Sequence, residues 1–342
     1  MAEFDLTVDN AARYLLANDV IEPDVSIDVE PLGGGVSNTV LRVTANEDCL
    51  VVKQPLANLA VEDDWPADTE RVHNEAAAAR AYERVIREAE FSDVRVPNVV
   101  LEDATDHVIA LTCAPTTTTM WKGELLDGRV DSTVARTLGR FLGATHRATA
   151  DDRTIRQAFA HDAPFEQLRL DPYHRTVAER HPDVRSIVRR ETERVEACNR
   201  TLVHGDFSPK NVLIDAGSEK APLWLLDFEV AHWGDPSFDV AFMLNHLFIK
   251  AVFNGELQAE YLRAADAFWS AYRTRIEWSI EPNIIGELGV LLLARVDGRS
   301  PVEYVTDSET NDTLRTIAKR SLCENVESVD EFSRLVAEVS AA

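Results

Sequence analysis

Lysine is scarce in this chain, although charge is not. Only six of the 342 residues are lysine, and the 35 lysine and arginine side chains stand against 59 aspartates and glutamates, so the formal net charge is −24. The acids are spread along the chain, without the run of about five or six that marks an interaction tail. This composition is typical of proteins that stay soluble in concentrated salt. We therefore expect a halophilic source, and nucleic acid is disfavoured as a ligand.

Cysteine is also sparse. Cys49, Cys113, Cys198 and Cys323 form no Cys-x-x-Cys pair and have no histidine at metal-ligand spacing. We therefore expect four separate thiols and a cytoplasmic protein. The first residues lack the basic and apolar regions of a secretion signal, and charged residues interrupt the longest apolar run. We expect neither a signal peptide nor a membrane segment.

The secondary-structure pattern divides the chain into two unequal parts. Alternating apolar and polar residues predict strands over 27–31 and 39–44, and further strands are expected over 49–53, 98–102 and 107–112, with helices over 8–16 and 69–89. Pro115 and the four threonines after it interrupt any periodicity, and the pattern beyond them is mainly helical. We predict an α+β, bilobal fold of the protein-kinase type. A small β-rich N-lobe would cover residues 1–114, and a larger, mainly helical C-lobe would cover residues 115–342.

One segment has the spacing of a kinase catalytic loop. His204 lies two residues before Asp206, and four residues separate Asp206 from Asn211. Asp206 would orient the acceptor hydroxyl and accept its proton, and Asn211 would bind a divalent metal. Asp227 follows on the return strand of a predicted hairpin, where it can share that metal. The loop around Asp206 or the strand end at Asp227 could each be ordinary turn or strand-end sequence, but the two together favour phosphoryl transfer.

The N-terminal part contains matching features of an ATP site. Three glycines lie between the first two predicted strands, where a loop covering phosphates belongs, although plain hairpin turns also use glycine. Lys53 ends the next strand, as does the kinase lysine that binds the α and β phosphates, and Glu75 on the following helix is its candidate partner. The candidate ATP-binding residues are Gly33, Gly34, Gly35, Ser37, Asn38, Lys53, Glu75 and Thr112.

Residues 202–211, Asp227 and residues 234–239 together resemble the aminoglycoside phosphotransferase superfamily, which includes choline, homoserine and fructosamine kinases. Within that superfamily, segment 53–75 is most similar to methylthioribose kinases. The resemblance implies a kinase-like fold, ATP, Mg²⁺ and a small hydroxylated acceptor. It also implies a homodimer, as methylthioribose kinases form. The residues after His-Gly-Asp differ from those of methylthioribose kinases.

Two more acids near the metal site receive supporting roles. The Asp227-Phe-Glu229 spacing resembles the metal pair of methylthioribose kinases, so Glu229 is a second candidate ligand, or else a strand-end acid. Asp239 opens the next helix and, with His204, is expected to hold the backbone of the catalytic loop. Only eleven residues lie between Asp227 and Asp239, too few for an activation segment, and this disfavours a protein substrate.

Basic residues in the C-terminal part bear on the acceptor. Arg295 and Arg299 flank a glycine after a very apolar helix, where they can bind sugar hydroxyls, a carboxylate or a phosphate, or merely close the helix electrostatically. Lys210 lies in the catalytic loop, and Trp233 is a candidate pocket wall. We predict ATP-dependent transfer to a ribose-derived sugar: methylthioribose, ribose or ribose 1-phosphate. The alternatives are an aminoglycoside, choline or homoserine kinase and a non-catalytic ATP-binding regulator.

Overall fold

The computed structural model describes residues 4–33, 36–61, 64–215 and 222–341. The strands are β1 (Ile27–Pro31), β2 (Asn38–Ala45), β3 (Asp48–Pro55), β4 (Val94–Arg95), β5 (Val99–Asp103), β6 (Val108–Thr112), β7 (Thr119–Met120), β8 (Thr201–Val203), β9 (Val212–Ile214), β10 (Leu223–Leu225) and β11 (His232–Gly234). They form a five-stranded sheet in the order β1-β2-β3-β6-β5, a four-stranded sheet in the order β4-β10-β9-β7, and the pair β11-β8.

The α-helices are α1 (Val8–Ala17), α2 (Arg71–Glu88), α3 (Trp121–Leu126), α4 (Ser132–Thr149), α5 (Arg153–Ala158), α6 (Ala163–Phe165), α7 (Thr176–Arg180), α8 (Arg185–Ala197), α9 (Pro236–Phe253), α10 (Gln258–Arg273), α11 (Glu281–Asp297), α12 (Ser308–Cys323) and α13 (Val329–Ser340). A π-helix covers Glu166–Arg175, and 3₁₀ turns cover Pro209–Asn211 and Gly255–Leu257. No helix in the described ranges is long and apolar enough to cross a membrane.

The N-lobe is built on the five-stranded sheet, which is antiparallel throughout. Strand β6 is apolar on both faces: Val108 and Ala110 join the core on the α1 side, whereas Ile109 and Leu111 pack with α2. Successive side chains of a strand point to opposite faces, so a strand that is apolar throughout is covered on both sides. The packing of α2 on this sheet brings its Glu75 to Lys53 of β3.

The C-lobe surrounds α9, which is buried over nearly its whole length. Asp235 caps the first turn of α9, because its carboxylate accepts a hydrogen bond from Ser237 N. Helices α10 and α11 pack against α9. Helix α4 lies so close to α10 that a Cβ at Gly139 would be 2.1 Å from Phe268 O. This rigid helical body supports the loops that follow β8 and β10.

The predicted α+β fold with two lobes is confirmed. The five predicted strands and both predicted N-lobe helices correspond to β1, β2, β3, β5, β6, α1 and α2, with ends that differ by at most two residues. The predicted lobe boundary after residue 114 falls between β6 and β7 and remains a prediction. The turn predicted around Gly217 lies outside the described residues.

The sequence pattern does not predict several short helices between residues 121 and 180. They are α3, α5, α6, the π-helix and α7. Pro172 lies inside the π-helix, and that segment has little amphipathic character, so no 3.6-residue repeat marks it. The π-helix nevertheless contributes two residues to the candidate active site.

The prediction of four separate thiols is wrong for two of the cysteines. Cys49 and Cys113 form a disulfide, with their Cα atoms 5.4 Å apart. Pairing of β3 with β6 brings them together, and Cys113 N donates a hydrogen bond to Cys49 O. In the described ranges Cys198 and Cys323 are free, and neither is fully buried.

Candidate active site

The backbone of the catalytic loop is held in an unusual conformation by its neighbours. Gly205 has a φ of +75°, and a Cβ at this position would lie 2.7 Å from Val230 O. Only glycine fits both constraints without strain. Asp239 accepts hydrogen bonds from His204 N at 2.7 Å and from Gly205 N at 2.9 Å. His204 donates from Nε2 to Leu226 O at 3.1 Å, and its burial lowers the pKa of the imidazole, which keeps it neutral.

Asp206 is buried in this loop between two cations. Its Oδ2 lies 2.8 Å from Lys210 Nζ and 3.0 Å from a terminal nitrogen of Arg169. Burial alone would raise the pKa of Asp206, but Lys210 and Arg169 outweigh burial and lower it to about 2. Its Oδ1 is also buried and has no hydrogen-bond partner among the described residues. That oxygen is the acceptor available to a substrate hydroxyl.

Asn211 immediately precedes β9 and Asp227 follows β10, and the pairing of these two strands places both residues beside Asp206. Asn211 donates from Nδ2 to Asp206 O at 2.9 Å, so the side-chain oxygen is the ligand atom it can offer to a metal. Leu226 N donates to Asn211 O at 2.9 Å, which fixes the next residue, Asp227, against the same turn. Asp227 has a φ of +68°, a conformation that is uncommon for a residue with a Cβ and is concentrated at functional sites.

Lys53 connects the N-lobe to this site. Its Nζ lies 2.7 Å from Glu75 Oε1 and 3.3 Å from Asp227 Oδ1. Burial lowers the pKa of Lys53, but Glu75, Asp227 and Glu229 together outweigh burial and raise it. Burial, Asp227 and Glu229 also raise the pKa of Glu75 against the attraction of Lys53. Carboxylates are therefore in excess around Lys53, an environment that a divalent cation would stabilise.

Glu229 makes contacts between the lobes. Its carboxylate accepts hydrogen bonds from Ser37 Oγ at 2.8 Å, from Asn38 Nδ2 at 2.9 Å and from Arg71 Nε at 3.1 Å. Arg71 is fully buried, and sequence reasoning gave it no role beyond the family likeness. Two residues predicted to bind ATP, Ser37 and Asn38, thus contact a residue predicted to bind metal. The metal role of Glu229 remains a prediction.

A cavity of about 300 Å³ lies between the lobes, where the nucleotide is expected to bind. Apolar residues form most of its wall, and Lys53, Glu75 and Asp227 lie at its polar end. Thr112 lines the cavity, and its Oγ1 accepts a hydrogen bond from Asn98 N. Gly33 is described, but Gly34 and Gly35 lie outside the described residues, so the phosphate-covering role of this loop remains a prediction.

The structure separates the four residues predicted to bind the acceptor. Lys210 touches Asp206, and Arg295 donates to Tyr173 Oη at 3.1 Å. Arg299 lies in a groove lined by residues 65–68, which precede α2, and by Gln167 and Asp171 of the π-helix. Trp233 lines another pocket, with residues from α4 and α5, that contains none of the predicted catalytic or metal-binding residues. Trp233 is therefore not brought to the site.

Sequence reasoning missed Arg169 and Tyr173, which the π-helix brings to the catalytic loop. Arg169 donates from Nε to Gly205 O at 2.7 Å, and its guanidinium lies 5.7 Å from the centre of the Tyr173 ring. Their sequence signal is weak, since Pro172 lies between them and interrupts the helical pattern. Arginine within a few residues of an aromatic side chain is too common a pattern to single out this pair.

The donor set fits ATP with a divalent cation. Oxygen ligands from Asn211 and Asp227, an excess of carboxylates around Lys53 and an apolar cavity beside them match the needs of a nucleotide and a hard metal ion. The Oδ1 of Asp206 has no partner among the described residues and is available to a second ligand.

Comparison with known proteins agrees with this arrangement. The phosphotransferase enzyme family matches residues 28–278. Methylthioribose kinase of Exiguobacterium sibiricum is 26% identical over 72% of this chain and 67% of its own length.

Two solved structures have the same fold. An amicoumacin kinase in complex with AMP-PNP and Ca²⁺ aligns over 93% of this chain and 95% of its own, with a TM-score of 0.54 and 15% identity. A spectinomycin phosphotransferase in complex with ADP and spectinomycin aligns over 99% of both chains, with a TM-score of 0.53 and 13% identity.

The family match covers most of the chain, including Lys53, the loop at residues 204–211 and Asp227. The chain therefore belongs to the phosphotransferase enzyme family and is a small-molecule kinase.

Proposed function

We propose that this kinase uses ATP and Mg²⁺ to phosphorylate a hydroxyl group of a ribose-derived sugar, either methylthioribose, ribose or ribose 1-phosphate. The observation that carries the proposal is the unpartnered Oδ1 of Asp206, which lies in a loop flanked by Arg169 and Lys210. The similarity to methylthioribose kinases supports a sugar acceptor.

The charge around Asp206 argues against a cationic acceptor. Arg169 and Lys210 contact its carboxylate, and Arg295 lies on the far side of Tyr173. Choline and aminoglycosides carry positive charge, which these side chains would repel. A neutral or anionic sugar is compatible with the same surroundings.

In the proposed reaction, each residue has a separate task. Lys53, held by Glu75, binds the phosphates of ATP, and Asn211 and Asp227 hold the metal ion, whose charge offsets that of the transferring phosphoryl group. Asp206 orients the acceptor hydroxyl through Oδ1 and receives its proton as the new bond forms. A carboxylate with a pKa of about 2 is a weak base, so orientation is its main contribution. Lys210 neutralises charge beside it.

The substrate panel that tests the proposal contains methylthioribose, ribose, ribose 1-phosphate, nucleosides, choline, homoserine and kanamycin. ADP release is measured with ATP and Mg²⁺ at low and at molar KCl. We expect turnover with at least one ribose-derived sugar. Turnover confined to choline, homoserine or kanamycin would contradict the sugar assignment. ATP binding without turnover of any compound would favour the non-catalytic regulator.

Replacing Asp206 tests the catalytic assignment. Asp206→Ala should reduce kcat by at least about a hundredfold, the scale of a lost positioning and proton-accepting group. ATP affinity should be retained, because Asp206 is assigned to the acceptor. Asp183→Ala is the control, since Asp183 is a half-exposed aspartate paired with Lys319. Loss of ATP binding in Asp206→Ala alone would contradict the assigned role.

A further inference from the structure

Lys250 is a fully buried cation for which the proposed reaction gives no role. It lies on α9, and its Nζ is 3.3 Å from Tyr304 Oη and 3.4 Å from His246 O. No carboxylate of the described residues lies within ion-pair distance of it. A buried ammonium group normally has a carboxylate partner or binds an anionic ligand.

Two further cations lie near Lys250. Lys122 of α3 and Lys250 both face the Tyr304 ring, with Nζ atoms 5.9 Å and 5.0 Å from its centre. Arg295 of α11 has a buried Nε without a partner in the described part of the chain. We call Lys122, Lys250 and Arg295 the cationic cluster. Its one neighbouring carboxylate among the described residues is that of Glu303, which pairs with Lys122.

The pKa shifts of Lys250 and His246 agree with an excess of positive charge in the cationic cluster. Burial, then Lys122 and Arg295, lower the pKa of Lys250 to about 7, and Glu303 only partly opposes them. Burial, the three cations of the cluster and Lys210 lower the pKa of His246, so this histidine is neutral and adds no positive charge. The cations on α3, α9 and α11 thus destabilise one another in the protein alone, and an anion between them would remove that cost.

The cationic cluster is adjacent to the acceptor side of the catalytic loop. Arg295 donates to Tyr173 Oη at 3.1 Å, and Tyr173 lies next to Arg169, which contacts Asp206. On the other side, α3, which carries Lys122, packs against the 3₁₀ turn that contains Lys210. A small acceptor with its reacting hydroxyl at Asp206 would extend past Tyr173 toward these three cations.

We propose that the cationic cluster binds a phosphate monoester on the acceptor, so that the preferred substrate is a sugar phosphate and not a neutral sugar. This inference rests on the proposed sugar kinase activity and narrows its substrate class. With Lys250 protonated, as a bound anion would favour, three cations and one carboxylate leave an excess of two positive charges. That excess matches the charge of about −1.5 to −2 on a phosphate monoester. Arginine and lysine together are common ligands of phosphate groups.

The kinetic test compares acceptors that differ in the anionic group. kcat/KM is measured for ribose 1-phosphate, ribose and ribonate, whose carboxylate carries a single negative charge. We expect ribose 1-phosphate to be preferred over ribose by at least about a hundredfold, the worth of two charged hydrogen bonds. Equal kcat/KM for ribose and ribose 1-phosphate, or a preference for ribonate, would overturn the proposal and leave the sugar kinase assignment intact.

Two variants test the cluster itself. Lys250→Met and Lys122→Met should each reduce the preference for ribose 1-phosphate over ribose about 10- to 100-fold. Lys122 is partly exposed, so its variant remains informative if Lys250→Met does not fold. Lys319→Met is the matched control, because Lys319 is a lysine of α12 that pairs with Asp183 outside the cluster. An unchanged preference in both cluster variants would overturn the proposal.

Equilibrium binding separates this inference from the proposed activity. Calorimetry without ATP should detect ribose 1-phosphate binding to the unaltered protein and weaker binding to Lys122→Met. If binding occurs but no sugar is phosphorylated, the anion site is supported and the sugar kinase activity is not. If a neutral sugar is turned over and ribose 1-phosphate neither binds nor reacts, the anion site is refuted while the kinase activity stands.

Discussion

At the scale of single residues, Asp206 shows how neighbours set the chemistry of a group. Two cations hold its pKa at about 2 although it is buried. The carboxylate is therefore ionised throughout the neutral range and always able to accept a hydrogen bond from the acceptor hydroxyl. In the proposed reaction Arg169 would act through Asp206, as a positioning residue.

Replacing Arg169 should change the pH dependence of the reaction. A carboxylate whose pKa is lowered stays charged until the pH falls to that pKa, so loss of one cation raises the pH at which activity begins to fall. When kcat/KM is measured between about pH 4 and about pH 8, its fall on the acid side should therefore begin at a higher pH in Arg169→Met than in the unaltered protein. Arg175→Met on the same π-helix is the control, since Arg175 pairs with exposed acids. An equal loss of activity at every pH would show that Arg169 is only structural.

Gly205 provides a test of the loop backbone. A side chain at this residue would meet Val230 O and adopt a positive φ, so Gly205→Ala should lower the free energy of unfolding by about 1–3 kcal/mol. Denaturant unfolding measures the change. Gly255→Ala, where no described atom lies within 4 Å of the added Cβ, should change stability far less. Similar effects at the two positions would refute this account of the loop.

At the scale of elements, α2 joins the two lobes. Its Glu75 pairs with Lys53 in the N-lobe sheet, while Arg71 and Asn74 reach Glu229 after β10. Arg71 also donates to Leu56 O and Asp68 O, so one guanidinium connects three segments of the chain. The position of Lys53 relative to Asp227 thus depends on contacts made by this helix.

Removing only one member of the buried ion pair between Arg71 and Glu229 should lower the stability of the fold markedly. Arg71→Met leaves a buried carboxylate without its cation and should lower stability by about 3–5 kcal/mol. Adding Glu229→Gln should recover part of that loss, so the two changes should couple by about 0.5–3 kcal/mol in a double-mutant cycle. Arg80→Met, on the exposed face of α2, is the control. Additive effects of the two changes would contradict a direct pair.

At the scale of the whole molecule, the acidic surface is the dominant property. A net charge of −24 on one chain produces self-repulsion that salt screens, because the screening length falls from about 10 Å at about 0.1 M to about 3 Å at about 1 M. Many surface pairs join arginine to the excess acids, but exposed pairs stabilise a fold only slightly. The halophilic source and the homodimer remain predictions.

Thermal unfolding in KCl tests the effect of this charge. Between about 0.1 M and about 2 M KCl we expect the melting temperature to rise steeply at first and then level off as repulsion is screened. Sucrose at matched osmolality is the control for solute exclusion, which acts without screening charge. A melting temperature that falls with KCl, or that rises equally in sucrose, would contradict the electrostatic explanation.

Local patterns predicted a large part of the fold and brought together the residues at the centre of the candidate site. β1 alternates apolar and polar residues, and a polar turn at Asn46 and Glu47 separates β2 from β3, so the bounds of these strands could be read within two residues. His204, Asp206 and Asn211 belong to one short loop, and a hairpin brings Asp227 to it. The π-helix could not be predicted, since Pro172 and its weak periodicity conceal a helix that packing stabilises.

The sequence by itself determined the kind of reaction, because phosphoryl transfer needs a few residue types at spacings that one loop and one hairpin provide. Only the tertiary structure decided the partners of distant residues. It joined Glu229 to Arg71, Cys49 to Cys113, and Arg169 to Asp206. It also gathered Lys122, Lys250 and Arg295 from three helices around Tyr304 and Tyr173. Such contacts depend on how whole helices and sheets pack, and that packing cannot be predicted from a short stretch of sequence.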